Sequence, residues 1–168
     1  ELLEGRSLGK LCDEEAPFAV QRALHLALQL RDALEAVHKA GIVHRDLKPA
    51  NLMIVHHKDR EFVKLLDFGI AKLRDSASPS MHKTATGIVL GTPGYMAPEQ
   101  LMGGQIDHRV DIYALGVILY AMVTGTMPFV SSSFAESVLK TMTETPRSPS
   151  SVPGLPGPLP HDLEALIL

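Results

Sequence analysis

The sequence predicts a mainly α-helical fold of the α+β class with one short β-hairpin, on three observations. Apolar residues recur at spacings of three and four over 20–37, which is typical of a long amphipathic helix. An apolar stretch over 112–123 indicates a buried core helix, because a membrane span needs about 20 such residues. Two β-like runs at 52–55 and 62–66 flank a polar segment and predict the hairpin.

The first elements follow from start and stop signals along the chain. The segment 1–12 is short and contains two glycines, which predicts a connector that carries the end of a strand. Asp13 is the expected N-cap of the long helix, and Pro17 is expected in its first turn. Gly41 is expected to end this helix.

Beyond the hairpin, composition separates loops from helices. Serine and threonine without apolar periodicity predict a mobile loop over 74–87. Helices are expected over 110–124, over 133–143 and from 161 onward. Six prolines fall within 146–160, so this stretch is expected to be an extended linker.

Charge and composition exclude several classes of function. The 168 residues include 16 Lys plus Arg against 19 Asp plus Glu, so no basic surface for nucleic acid is expected. A lone Cys12 excludes a disulfide scaffold and a cysteine zinc site. The adjacent His56 and His57 can bind a metal or form an exposed turn, and the turn is favoured because no third ligand is suitably spaced.

The ends of the chain and its location give further expectations. No signal peptide and no membrane segment are evident, so a cytoplasmic location is expected, with a membrane anchor outside this chain left open. The chain starts at Glu1 rather than at Met and stops at Leu168 inside an apolar run. We interpret it as a piece of a longer protein.

Two polar clusters can carry chemistry. The first is His-Arg-Asp-Leu-Lys-Pro-Ala-Asn at 44–51, and the second is Asp-Phe-Gly, which begins at Asp67 directly after the second strand. The hairpin can bring Asn51 and Asp67 to one end, where their oxygens suit Mg²⁺. Asp46 can accept a proton from a hydroxyl, and Lys48 can offset charge on a phosphoryl group. Phosphoryl transfer requires these parts together.

These clusters, followed by Ala-Pro-Glu at 97–99, resemble the signature set of protein kinases. The chain resembles the large C-terminal lobe of a serine/threonine protein kinase, and the string Gly-Thr-Pro-Gly-Tyr-Met-Ala-Pro-Glu-Gln at 91–100 resembles the bacterial branch. The resemblance implies a protein-kinase-like α+β fold, with this chain as the mainly helical lobe and the hairpin at the cleft. It further implies that 1–168 is a partial kinase domain, from the hinge to the start of helix αH, with an activation segment at 67–99.

Other parts of the family pattern do not occur in these residues. The Gly-x-Gly-x-x-Gly loop, the lysine-bearing strand and the αC glutamate of the family are absent from the 168 residues. In the family they belong to an N-terminal lobe, so we expect such a lobe of the same protein as a partner of this chain. We expect the chain alone to be catalytically silent.

On the substrate side, the resemblance implies roles for three residues. Asp46 matches the catalytic base, and Lys48 matches the lysine that contacts the transferring phosphate. Lys48 and Thr92 match residues that favour serine and threonine over tyrosine. The implied substrate is a protein with Ser or Thr hydroxyls.

On the nucleotide side, the resemblance implies ATP and Mg²⁺ as cofactors. Asn51 and Asp67 match the two metal ligands. Backbone groups of Glu1 and Leu3 are expected to face adenine from the hinge. Met53 is expected to form the apolar floor beneath the adenine ring.

Further matches are structural. His44 and Phe68 match members of the hydrophobic spine behind the site. Asp111 matches the buried aspartate that holds the backbone of the catalytic loop. Glu99 matches a carboxylate whose arginine partner lies outside this chain.

One match is regulatory. In kinases with an arginine before the base, here Arg45, a phosphate on the activation segment pairs with that arginine and orders the segment. Thr84 or Thr86 is the expected phosphosite, although a solvated loop is the simplest interpretation of that segment.

Two other classes of function are the alternatives. A non-catalytic scaffold with a kinase fold has no chemical need for Asp46, Lys48 and Asn51 together. A small-molecule phosphotransferase is disfavoured by Lys48 and by the peptide-docking segment at 91–99.

Overall fold

Helices dominate the computed structural model, which describes residues 4–58, 60–66 and 92–168. The strands in this part of the chain are β1 (Gly5–Ser7), β2 (Leu52–His57) and β3 (Arg60–Leu65). The helices are α1 (Leu8–Glu15), α2 (Val20–Lys39), α3 (Pro98–Leu101), α4 (Arg109–Thr124), α5 (Phe134–Thr143) and α6 (His161–Ile167). The predicted mainly helical fold with a small sheet is confirmed.

Helix α4 lies at the centre of the core, as its composition predicts. Residues 117–124 are all buried, because a helix with apolar side chains around most of its surface is stable only when other elements surround it. Helix α2 adds Ala23 and Leu26 to the same core. Gly125 and Gly41, with φ of 71° and 75°, follow α4 and α2 in the left-handed conformation that glycine adopts without steric cost. Within the described ranges, no helix is both long and apolar enough to span a membrane.

The start of the chain differs from its prediction. The predicted connector at 1–12 contains β1 and most of α1, which Ser7 caps by accepting a backbone hydrogen bond. Asp13 lies inside α1 and is not the N-cap of the long helix, and Pro17 lies between α1 and α2. Ala16 has extended backbone angles of −74° and 148°, the usual conformation before proline, and this ends α1. The long predicted helix is therefore preceded by a separate short one.

Strand β2 is central in a three-stranded antiparallel sheet, so the predicted hairpin carries β1 as an additional strand. Leu52 pairs with Leu65, and beyond that pair the backbone N–H of Leu66 donates to the Asn51 carbonyl at 2.8 Å. Leu52 and Ile54 are fully buried in the core. The sheet therefore fixes where the 44–51 loop meets the end of β3.

The loop that connects the two strands of the hairpin is shorter than predicted, because His56 and His57 belong to β2. Both histidines are exposed, and no group of three or more His, Cys, Asp or Glu in the described part of the chain is placed to hold a metal. Arg22 of α2 donates two hydrogen bonds to the Glu61 carboxylate, at 3.0 and 2.7 Å. This pair joins the sheet to the helix behind it.

Part of the proline-rich stretch at 146–160 is packed, with Pro149 and Val152 buried, so its interpretation as an extended linker is wrong for that part. Proline excludes an α-helix but allows short turns, and a single 3₁₀ turn forms here, followed by the buried Val152. Glu164 of α6 accepts hydrogen bonds from the hydroxyls of Ser148 and Ser150. These contacts attach the stretch to the helix that follows it.

Candidate active site

The first polar cluster forms the 44–51 loop between α2 and β2. His44 is fully buried and Leu47 is 2% exposed. The side chains of Asp46 and Lys48 are 28% and 24% exposed. The loop closes with the 3₁₀ turn Pro49–Asn51. Buried side chains thus attach the loop to the core while its charged side chains reach solvent.

The predicted base, cation and metal ligand lie together. Lys48 Nζ lies 3.2 Å from Asp46 Oδ2. The Asn51 Nδ2 donates to the backbone carbonyl of Asp46 at 2.9 Å. Because the amide nitrogen is used in this bond, the amide oxygen of Asn51 is the atom left to bind a cation.

The end of β3 is tied to the same loop. The backbone carbonyl of Leu66 lies 3.1 Å from Nε2 of His44. The backbone N–H of Leu66 donates to the backbone carbonyl of Asn51. Asp67 and Phe68 follow Leu66 in the sequence and lie outside the described residues. Leu66, the residue directly before Asp67, is therefore in contact with Asn51.

Asp111 of α4 holds the loop backbone from the core side. Asp111 is 1% exposed. Its carboxylate accepts hydrogen bonds from the backbone N–H groups of His44 and Arg45, at 2.8 and 2.9 Å. Nε2 of His38 lies 2.8 Å from the same carboxylate. A buried carboxylate is costly unless its oxygens are bonded, and these contacts satisfy it. This is the geometry that the predicted backbone-holding role requires.

Arg45 has an unusual backbone conformation. Its φ of 66° is left-handed, which is uncommon for a residue other than glycine. Its Nε is buried and has no hydrogen-bond partner among the described residues. Thr84 and Thr86, the predicted phosphosites, lie in 67–91, outside the described ranges, as does the predicted mobile loop.

Sequence reasoning missed Gln100 of α3. Its Oε1 accepts from the backbone N–H of Ala97 at 3.0 Å, and its Nε2 donates to the backbone carbonyl of Arg45 at 2.9 Å. A local signal existed for the first contact, because glutamine in the third helical position is a capping-box residue. No local signal exists for the second, which joins residues 55 positions apart.

The remaining predicted residues on the substrate side lie around the same loop. Thr92 is exposed, and it lines a small cavity together with Arg45, Asp46 and Tyr95. Burial raises the pKa of the Tyr95 hydroxyl to about 12, so this group stays protonated and can donate a hydrogen bond. Glu99 is half-buried in α3.

Of the residues predicted to contact adenine, the structure describes Met53. It is half-buried and lies on the face of β2 opposite to the fully buried Leu52 and Ile54. Glu1 and Leu3 lie outside the described residues.

Comparison with known proteins identifies the family. A family model described as a protein kinase domain matches residues 1–156. That match covers most of the chain, so the chain belongs to the protein kinase family. The resemblance read from its motifs is confirmed.

The curated relatives are bacterial enzymes by name. The chain is 44% identical over 151 residues, 89% of its length, to the serine/threonine-protein kinase pkn3 of Myxococcus xanthus. It is 44% identical over 163 residues, 96% of its length, to Pkn1 of the same organism. It is 36% identical over 157 residues, 93% of its length, to PknL of Mycobacterium tuberculosis. The chain spans 28%, 23% and 38% of the lengths of these three relatives.

Proposed function

We propose that the protein to which this chain belongs is a serine/threonine protein kinase, which transfers the γ-phosphoryl group of ATP to protein hydroxyls. The observation that carries the proposal is the joint position of Asp46, Lys48 and Asn51 in one firmly held loop of a kinase domain. The names of the curated relatives support the same activity.

Asp46 and Lys48 divide the work on the substrate side. A Ser or Thr hydroxyl oxygen attacks the γ-phosphorus while its proton passes to the Asp46 carboxylate, and the bond to the leaving ADP oxygen breaks. The Lys48 ammonium, 3.2 Å from Asp46, offsets the negative charge of the phosphoryl oxygens. Both side chains are partly exposed, which the approach of a protein substrate requires.

Asn51 and Asp67 are the proposed ligands of Mg²⁺. The bond from the Asn51 amide nitrogen to the Asp46 carbonyl does not use the amide oxygen, which supports this assignment because Mg²⁺ prefers oxygen ligands. Mg²⁺, when bound, neutralises charge on the phosphates. The hydrogen bond from Leu66 to the Asn51 carbonyl brings the chain that leads to Asp67 to the same loop.

This chain would supply one side of the cleft that binds ATP. Glu1 and Leu3 would contact adenine through the backbone, and Met53 would lie beneath the ring. The glycine loop and lysine strand of the family are absent from 1–168, so we propose that this is a partial domain, from the hinge to the start of αH, completed by an N-terminal lobe of the same protein. Half of the cleft would then come from that lobe, and the chain alone should transfer phosphate slowly or not at all.

Substrate choice and regulation belong to the proposed activation segment, 67–99. Thr92 lines the same cavity as Asp46, which supports its role in the preference for Ser and Thr. We propose that phosphate on Thr84 or Thr86 pairs with Arg45, whose buried Nε lacks a partner among the described residues. A non-catalytic scaffold is not favoured, because it would not need this set of charged and amide groups.

Radiolabelled phosphate transfer tests the proposal in the full-length protein, with ATP, Mg²⁺ and a generic basic protein as substrate. Wild type should form phosphoserine or phosphothreonine, and Asp46→Asn should reduce the rate by about 10²–10⁴-fold. Asp32→Asn, the same change at a carboxylate that is 62% exposed, is the matched control. Equal transfer by wild type and Asp46→Asn would contradict the proposal.

Two further measurements address the finer assignments. The isolated 168-residue chain should give no transfer, and transfer that depends on Asp46 in this chain would show that no second lobe is needed. Mass spectrometry of the active full-length protein should find phosphate on Thr84 or Thr86. Finding both unmodified would count against the proposed switch.

A further inference from the structure

We propose that Gln100 is a positioning residue, which holds the peptide bond between Arg45 and Asp46 and so links α3 to the proposed base. The inference rests on the proposed kinase function and deepens it. Its basis is a pair of hydrogen bonds made by the half-buried Gln100 side-chain amide, which accepts from the Ala97 N–H and donates to the Arg45 carbonyl.

The backbone of Arg45 is fixed by hydrogen bonds on both sides of its Cα. Its left-handed φ of 66° is unfavourable for a residue with a Cβ, and such a conformation persists only where the surroundings impose it. Asp111 fixes the N–H side with a 2.9 Å hydrogen bond. The carbonyl side faces α3, where Gln100 donates to it at 2.9 Å.

The Gln100 amide is itself oriented. Its oxygen accepts from the N–H of Ala97 at 3.0 Å, so its nitrogen is directed to Arg45. Both contacts belong to one planar group, and a change in the position of α3 therefore moves the donor that holds the Arg45 carbonyl. Gln100 is half-buried, so water competes for these bonds less than it would at the surface.

Asp46 is consequently held from both ends. The peptide bond before it is bound by Gln100, and the carbonyl after its Cα accepts from Asn51 at 2.9 Å. These two contacts set the backbone from which the carboxylate projects. An error of about 1 Å in the position of a catalytic group can cost about 10²-fold in rate. Gln100 therefore affects the rate of the chemical step through Asp46, without touching substrate.

A purely structural role must be separated from this one. If Gln100 only caps α3, the contact with Ala97 is the one that matters, and glutamate serves as well as glutamine in that position. Gln100→Glu keeps the acceptor for Ala97 but loses the donor and places a carboxylate against the Arg45 carbonyl. Gln100→Met keeps the approximate length of the side chain and loses both contacts.

Steady-state kinetics of the full-length protein provide the test. Gln100→Glu and Gln100→Met should each lower kcat by about 10- to 100-fold, with KM for ATP within about twofold of wild type. Gln105→Glu, the same substitution at an exposed residue nearby, should leave both constants unchanged. A kcat for Gln100→Glu within about twofold of wild type would overturn the inference.

A second measurement separates this inference from the proposed function. Amide hydrogen exchange over 44–48 should be about tenfold faster in Gln100→Glu than in wild type, and exchange in α5 should not change. Unchanged exchange over 44–48 would overturn the inference whether or not the protein is active. Failure of the kinase proposal is recognised separately, by the absence of any transfer that depends on Asp46 in wild type.

Discussion

The backbone N–H of Arg45 and Oδ1 of Asp111 are joined by a 2.9 Å hydrogen bond between residues 66 positions apart. The other carboxylate oxygen accepts from the His44 N–H at 2.8 Å. One buried side chain of the central helix therefore fixes the N–H groups of two successive residues, His44 and Arg45, just before Asp46 in the chain. The precision of the proposed active site depends on the core helix α4.

Asp111→Asn should destabilise the protein and lower its activity. The amide presents a donor where the carboxylate had an acceptor, so at least one buried N–H loses its partner. Hydrogen bonds to a charged group contribute about 1.5–3 kcal/mol each, and a loss of about 2–3 kcal/mol in the free energy of unfolding is expected. Urea unfolding measures it, with Asp32→Asn as the exposed control, and an Asp111→Asn midpoint equal to wild type would contradict the argument.

The parts of the site that the sequence predicts are those with a local pattern. Asp46, Lys48 and Asn51 lie within one short loop, so their proximity follows from the chain itself. The apolar run of α4 likewise predicts its burial. Asp111 was predicted through the family resemblance, since nothing in its immediate neighbours indicates a partner in the distant loop.

The parts that sequence reasoning missed depend on contacts between distant residues. Gln100 donates a hydrogen bond to the backbone carbonyl of a residue 55 positions away, and a contact at that separation produces no local pattern in the sequence. The proline-rich stretch is joined to the next helix by hydroxyl contacts of Ser148 and Ser150 with Glu164, which lies 14 to 16 positions further along the chain. Asp13 was predicted as the N-cap of the long helix, with Pro17 in its first turn, because these residue types are typical of a helix start; the structure instead has the separate helix α1 before Pro17.

Asn51→Ala should raise the Mg²⁺ concentration needed for half-maximal activity. The change removes the amide oxygen proposed as a ligand and the hydrogen bond to the Asp46 carbonyl. We expect the Mg²⁺ requirement to rise and kcat at saturating Mg²⁺ to fall by about 10-fold or more. Titration of Mg²⁺ at fixed ATP checks this, with the exposed Gln105→Ala as control. A fall in kcat with an unchanged Mg²⁺ dependence would assign Asn51 to loop geometry alone.

The Arg22–Glu61 pair should contribute measurably to the attachment of the sheet to α2. The guanidinium donates two hydrogen bonds to a carboxylate that is 18% exposed, and it also lies 4.5 Å from the centre of the Phe18 ring. A double-mutant cycle with Arg22→Met and Glu61→Gln should give a coupling energy of about 1–2 kcal/mol in urea unfolding.

The Glu35–Lys39 pair on the same helix is the matched comparison. Its side chains are 56% and 74% exposed, and exposed pairs at this spacing contribute about 0.3–0.5 kcal/mol. Added salt should weaken this pair more than the Arg22–Glu61 pair, because exposed charges are screened more effectively. Equal coupling energies for the two pairs would show that burial and geometry at Arg22 add nothing.

Glu136 should make the stability of α5 depend on pH in the acid range. Hydrogen bonds from Lys140 and from Ser132 lower the pKa of its carboxyl to about 2. Because the folded pKa lies below the unfolded value of about 4.3, the contribution is complete above that value and is lost as pH falls toward about 2. Wild type should therefore be more stable than Glu136→Gln at neutral pH, and the difference should shrink between about pH 4.5 and pH 2.5.

Amide exchange of α5 or the urea midpoint, measured for both proteins across this range, checks the expected convergence. Glu144→Gln provides a control of opposite sign, because Glu144 is the exposed C-cap of the same helix, where the dipole disfavours negative charge. Its removal should leave the helix equally or slightly more stable at neutral pH. A gap between wild type and Glu136→Gln that stays constant with pH would mean that the charge of Glu136 does not hold the start of α5, and that the hydroxyl cap of Ser133 is sufficient.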